Sequence, residues 1–99
     1  MLKLNQLSLI EDSLVIEPAD FPNEEQRSEW VSALLNMLNT QTQQEEVGAD
    51  LAQYSFMWGS CLFILSISDT VDSIWINATN RNMPVTIEMH DKLKQVIAD

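Results

Sequence analysis

His90 is the one histidine of this 99-residue chain and Cys61 its one cysteine. General-base and thiol chemistry therefore have one candidate each. Asp91 is next to His90 and Glu88 lies two residues before it. Neighbours at those separations do not face each other on a helix, so His90 reads as a free-standing surface residue. An enzyme site built around His90, or shared across a dimer interface, is the minority expectation. A nucleophilic Cys61 would need a cation or base beside it to lower its pKa. Its place in an apolar run predicts an inert thiol on a core face instead. Ser60 in Trp58-Gly59-Ser60-Cys61 lacks the flanking glycines of a nucleophile elbow.

Metal chemistry is equally poorly supplied. One histidine and one cysteine cannot complete a zinc set. Asp69 and Asp72 lack the alternating oxygen ligands and bidentate glutamate of a calcium loop, so they read as a capped turn. The paired acids Glu24-Glu25 and Glu45-Glu46 lie in polar segments where water keeps carboxyls ordinary. Only Gly48 and Gly59 are glycines, which excludes dinucleotide fingerprints and phosphate-binding loops, because both need several close backbone approaches. No catalytic set, metal, cofactor or small-molecule ligand is expected.

The elements that would position these residues follow from spacing. Leu7, Leu9, Leu14 and Ile16 alternate with polar partners around Glu11-Asp12-Ser13. That predicts a hairpin with strands near 3–10 and 14–17, stopped by Pro18 and Pro22. Asn23 and Gln26 have capping-box spacing, and Trp30, Val31, Leu34, Leu35 and Leu38 recur at helical intervals. A helix over about 23–39 is expected, with Glu24, Ser28, Glu29, Ser32, Asn36 and Asn39 outward.

Residues 40–46 are polar and read as a solvated connection. Tyr54, Phe56 and Trp58 then alternate with smaller or polar neighbours, and Gly59-Ser60 suits a type II′ turn into a return strand over 61–68. That register sets Trp58 against Cys61, Phe56 against Phe63 and Tyr54 against Leu65. After a turn at 69–72, a strand over 73–77 carries Ile74 and Ile76 on one face and Trp75 on the other. Pro84 suits the first turn of a terminal helix holding Met89, Leu93, Val96 and Ile97. The alternation of Val85 and Ile87 keeps a short strand open over 84–89.

The expected architecture is one α+β domain over 1–99, in the order β-β-α-β-β-β-α. An antiparallel sheet of about five strands would carry two helices mainly on one face. Such packing leaves Met57, Leu62, Ile64 and Trp75 on the other face with no helix to cover them, unless residues 40–50 fold across it or the helices sit on opposite faces of the sheet. An exposed apolar patch of this kind commonly marks an interface.

Charge narrows the partners. The formal net charge is −10, and no Lys or Arg occurs between Ser28 and Asn80. Glu11, Asp12, Glu17, Asp20, Glu24, Glu25 and Glu29 face Arg27 alone in their segment. Nucleic acid and anionic membranes need cations to displace counterions, so neither is an expected partner. A lone cysteine suits a reducing compartment. The longest unbroken apolar run is 61–65, far short of the ~20 residues of a membrane span, and the N-terminal stretch is too interrupted for a secretory leader. The expectation is a cytoplasmic, non-enzymatic interaction or accessory module that binds itself or another protein, as a homodimer through a sheet face. A second expectation is an acidic mimic of the DNA phosphate array that blocks a basic protein.

Overall fold

The computed structural model describes residues 2–80 and 82–98. Its elements run β1 (Leu4–Ile10), β2 (Ser13–Pro18), α1 (Arg27–Met37), β3 (Thr42–Val47), β4 (Leu51–Trp58), β5 (Cys61–Ser68), β6 (Ser73–Ala78) and α2 (Met83–Ala98). The strands form one antiparallel sheet in the order β1-β2-β6-β5-β4-β3. The fold is α+β with two helices, and the sheet has six strands where about five were expected.

The additional strand is β3, in the segment expected to be a solvated connection. All its residues but Thr42 are exposed, so no apolar alternation announces it. Backbone pairing with β4 holds it at the sheet edge, with Glu45 opposite Tyr54 and Glu46 opposite Gln53. It widens the sheet rather than folding across a face.

Cross-strand register explains the core. One row reads Leu7, Ile16, Ile74, Ile67, Ala52 and Val47, and the next Leu9, Leu14, Ile76, Leu65, Tyr54 and Glu45. Directly opposed residues share a face, so both rows lie on the same side. Their members on the four inner strands are all buried. Trp30, Val31, Leu34, Leu35 and Leu38, in and just after α1, join the same buried cluster, as do Met89 and Leu93 of α2. Phe56 and Phe63 oppose each other with ring centroids 5.7 Å apart and planes inclined by 16°.

Three local features differ from expectation or resolve one left open: the start of α1, the conformation of 84–89 and the type of one turn. The capping box forms, the Asn23 amide donating to Gln26 Oε1 and the Gln26 amide to Asn23 Oδ1. It closes a tight turn, however, and the α-helix starts only at Arg27. Residues 84–89 are helical. Asn82 receives the Val85 amide on its side chain and the Thr86 hydroxyl on its backbone carbonyl, which organises the first turn. Thr86 is buried and Ile87 exposed, opposite to what a half-buried strand would require. In the β4–β5 hairpin both central residues have positive φ, 58° at Gly59 and 64° at Ser60. The turn is therefore type I′ rather than the expected II′, its twist matching that of the flanking strands. A side chain at Gly59 would also crowd Val85 Cγ1, 3.1 Å from an ideal Cβ.

Candidate interaction surface

The remaining sheet face is built from the alternate residues of the same strands. One row runs Ser8, Val15, Trp75, Ser66, Gln53 and Glu46, and the next Ile10, Ser13, Asn77, Ile64, Ser55 and Gln44. Beyond them Met57 opposes Leu62. All four residues singled out from the sequence thus share one face. Met57 and Leu62 are 39% and 37% exposed. Ile64 and Trp75 are half-buried by their neighbours in the pleat. Leu62 and Ile64 are alternate residues of β5, and Trp75 opposes Ser66, the next alternate position.

The polar residues between them are small and mutually satisfied. Gln53 Nε2 donates to Ser66 Oγ at 3.3 Å, and Asn77 Nδ2 donates to Ser13 Oγ at 2.6 Å. Ser66 is buried although it points away from the core, because Gln53 and Trp75 oppose it on either side. A shallow depression of about 180 Å³ lies among Gln44, Glu46, Gln53, Ser55, Leu62 and Ile64.

Charge is excluded from the middle of this surface. β4, β5 and β6 contain no Asp, Glu, Lys or Arg, although 20% of the chain is charged. The acids that reach this face stand toward its margins, Glu46 on edge strand β3 and Glu17 on β2 opposite Gln6. Apolar and aromatic anchors, depleted charge and a polar rim match the composition of protein interface cores.

The other chemical candidates are not brought together. His90 Nδ1 lies 3.0 Å from Asp91 Oδ1, so the imidazole does have a carboxylate neighbour despite the adjacent spacing. Cys61 is half-buried rather than sealed in the core, with Asn82 Nδ2 3.2 Å from its sulfur. Among the described residues no three His, Cys, Asp or Glu side chains cluster as metal ligands would. No described helix is long and apolar enough to cross a membrane. A groove of about 540 Å³ runs between the start of β1, α1 and the end of α2. Lys3 is its one charged lining residue, beside Asn5 and Asn36.

Residue spacing alone does not announce the ion pair at the head of α1. Arg27 is buried at the head of α1 and its Nη2 pairs with Asp69 in the β5–β6 turn. Its Nε is buried without a hydrogen-bond partner among the described residues. Asp69, expected to cap a turn, instead anchors the head of the helix through its carboxylate. The available signal was Arg27's own place on the apolar stripe, three and four residues before Trp30 and Val31 and seven before Leu34.

Tyr54 lies close to that pair. Its pKa is raised above 10.0, mainly because burial penalises the phenolate and also because Glu45 opposes it across β3, while Arg27 and a hydrogen bond with Ser28 work the other way. Between the ordinary and the raised value, the unfolded chain has lost a proton that the folded one keeps. The Tyr54 contribution to stability is then constant below about pH 10 and declines as pH rises through that window. Tyr54 is the one tyrosine, so phenolate absorbance follows it alone. Wild type should lose denaturant resistance in this range more steeply than Tyr54→Phe; identical alkaline profiles would refute the assignment.

A search of curated proteins and a search of solved structures each returned no match. A family model does match, over residues 2–92, and is described as a protein of unknown function, DUF3630. With nine-tenths of its length inside that match, the chain belongs to the DUF3630 family.

Proposed function

We propose that this chain is a non-enzymatic interaction module of a reducing, cytoplasmic compartment, and that its open sheet face docks against a second copy of itself. In this reading α1 and α2 shelter the face bearing Phe56, Phe63 and Leu65 and leave the opposite face for association. The observation that supports it is the missing charge. A molecule of net charge −10 repels its own copies, and self-association needs a surface where carboxylates do not meet. The centre of the face around Ile64 and Trp75 meets that requirement, since three adjacent strands carry no charged side chain. Met57, Leu62 and Trp75 supply the apolar and aromatic contacts.

Sedimentation velocity and light scattering test the reading. The wild-type chain should sediment as an oligomer. Leu62→Asp and Ile64→Asp should each lower its mass at least twofold at equal concentration, because each puts carboxylates opposite one another in a dry contact. Both side chains point away from the core, so circular dichroism should be unchanged. A monomeric wild type, or a mass that neither substitution alters, would dismiss the face as a docking surface.

A further inference from the structure

The two edges of the sheet are protected very differently. A strand with one neighbour presents unpaired amides and carbonyls to any other chain, and natural proteins blunt such edges with charge, bulges or shortness. The outer edge of β3 carries Glu45 and Glu46, and its regular pairing covers only Gln44 to Val47 after a register shift. Two β3 strands brought together would confront those carboxylates. β1 forms the other edge and has no charged residue at all: Leu-Asn-Gln-Leu-Ser-Leu-Ile. Beyond its own shift between Leu4 and Gln6, it pairs regularly with β2 from Gln6 to Ile10. Leu9 and Ile10 are exposed there, Ile10 by 56%.

We infer that β1 pairs antiparallel with β1 of a second copy, about a twofold axis at Ser8, and joins two sheets into one. The regular run from Gln6 to Ile10 is centred on Ser8, so this register opposes Ser8 with itself, Leu7 with Leu9, and Gln6 with Ile10. No charge meets like charge within it. The contact uses a different surface from the face-to-face docking proposed above and goes beyond that reading.

Area gives a second reason, which rests on the face-to-face reading proposed above. At about 4.8 Å between strands and 3.3 Å per residue, the uncharged part of the open face measures roughly 15 by 25 Å, on the order of 400 Å². A standard interface needs about 800 Å² per partner. Edge pairing about an axis normal to the sheet places two open faces side by side on the same side, which supplies that area. A face-to-face axis lies in the plane of the sheet, at right angles to the first. Where they intersect, two such perpendicular axes close into a tetramer of D2 symmetry rather than an open filament.

Charge exchange at Ser8 tests the inference. Wild type should sediment as a tetramer. Ser8→Glu and Ser8→Lys should each halve the mass, because each sets like charges opposite one another at the axis, whereas an equimolar mixture of the two should regain the tetramer. Ser8 points to the open face at an edge, and unchanged circular dichroism with restoration in the mixture excludes misfolding as the cause. Leu62→Asp should leave the edge-paired dimer, and Leu62→Asp combined with Ser8→Glu should leave monomer. A dimer split by Leu62→Asp but indifferent to both Ser8 variants overturns edge pairing and leaves the face reading standing. A dimer split by the Ser8 variants alone does the reverse. Aggregates of no defined stoichiometry, or a mixture that stays at half mass, also overturn edge pairing.

Discussion

Replacing Phe63 by alanine is expected to remove about 4 kcal/mol of stability, a large part of the roughly 5–15 kcal/mol that a domain of this length possesses. Phe63 is fully buried, stacks against Phe56, and sits on β5 between β4 and β6. Truncation would open a cavity where Phe56 and the flanking core side chains meet, far from any edge that could collapse into it. The melting temperature should fall by roughly 16–32 °C, given about 4–8 °C per kcal/mol at this size. Phe63→Leu, which keeps most of the apolar volume, should cost only about 1–2 kcal/mol. The adjacent Leu62→Ala supplies the contrast: one residue away but on the opposite face and 37% exposed, it should change stability by less than about 1 kcal/mol. Equal losses at positions 62 and 63 in chemical denaturation would contradict the alternation on which both the core and the open face depend.

That alternation is also why so much of the molecule is legible from its residues. The pairing of Trp58 with Cys61, Phe56 with Phe63 and Tyr54 with Leu65 follows from a two-residue turn and a period of two, and it is the register observed. The placement of Met57, Leu62, Ile64 and Trp75 on one face follows from the same period. Wherever burial does not leave a pattern of apolar letters, the reading fails. β3 is exposed on both faces, and what holds it is backbone hydrogen bonding, which Thr42-Gln-Gln-Glu-Glu-Val cannot advertise. The turn type is not decided by the residues, because glycine at the first position permits either primed turn. The difference lies at Ser60, a non-glycine residue held at φ 64° by the hairpin's twist. The start of α2 was ambiguous because Val85 and Ile87 satisfy period two by accident, while the deciding groups, the side chain and carbonyl of Asn82, are polar. Arg27 is hidden from such a reading because a charged letter on an apolar stripe reads as an interruption, whereas a buried guanidinium with a half-buried carboxylate partner can occupy it.

The second large effect belongs to that pair. Asp69→Ala is expected to cost about 3 kcal/mol, because it leaves the buried Arg27 guanidinium, already with an unpartnered Nε, without its carboxylate. The value belongs at the low end for breaking a buried pair, since the Asp69 side chain is 34% exposed and water can reach the vacated position. Arg27→Met should cost about 1 kcal/mol or less, since it keeps the aliphatic stem that fills the helix–turn contact and removes the charge that needed compensation. Combining the two should cost little more than Arg27→Met alone, giving a coupling of about 3 kcal/mol in a double-mutant cycle read by urea denaturation. The ordering carries the physical content: losing the acid hurts more than losing the base, although each deletes the same ion pair. Asp69 also ties the turn to the β3–β4 connection through its amide, which donates to the Asp50 carbonyl at 3.0 Å, a contact that alanine preserves. The cycle therefore isolates the carboxylate. Equal costs for Asp69→Ala and Arg27→Met would mean the pair acts as an exposed surface bridge, and that the head of α1 is held by the packing of Trp30 and Leu34 alone.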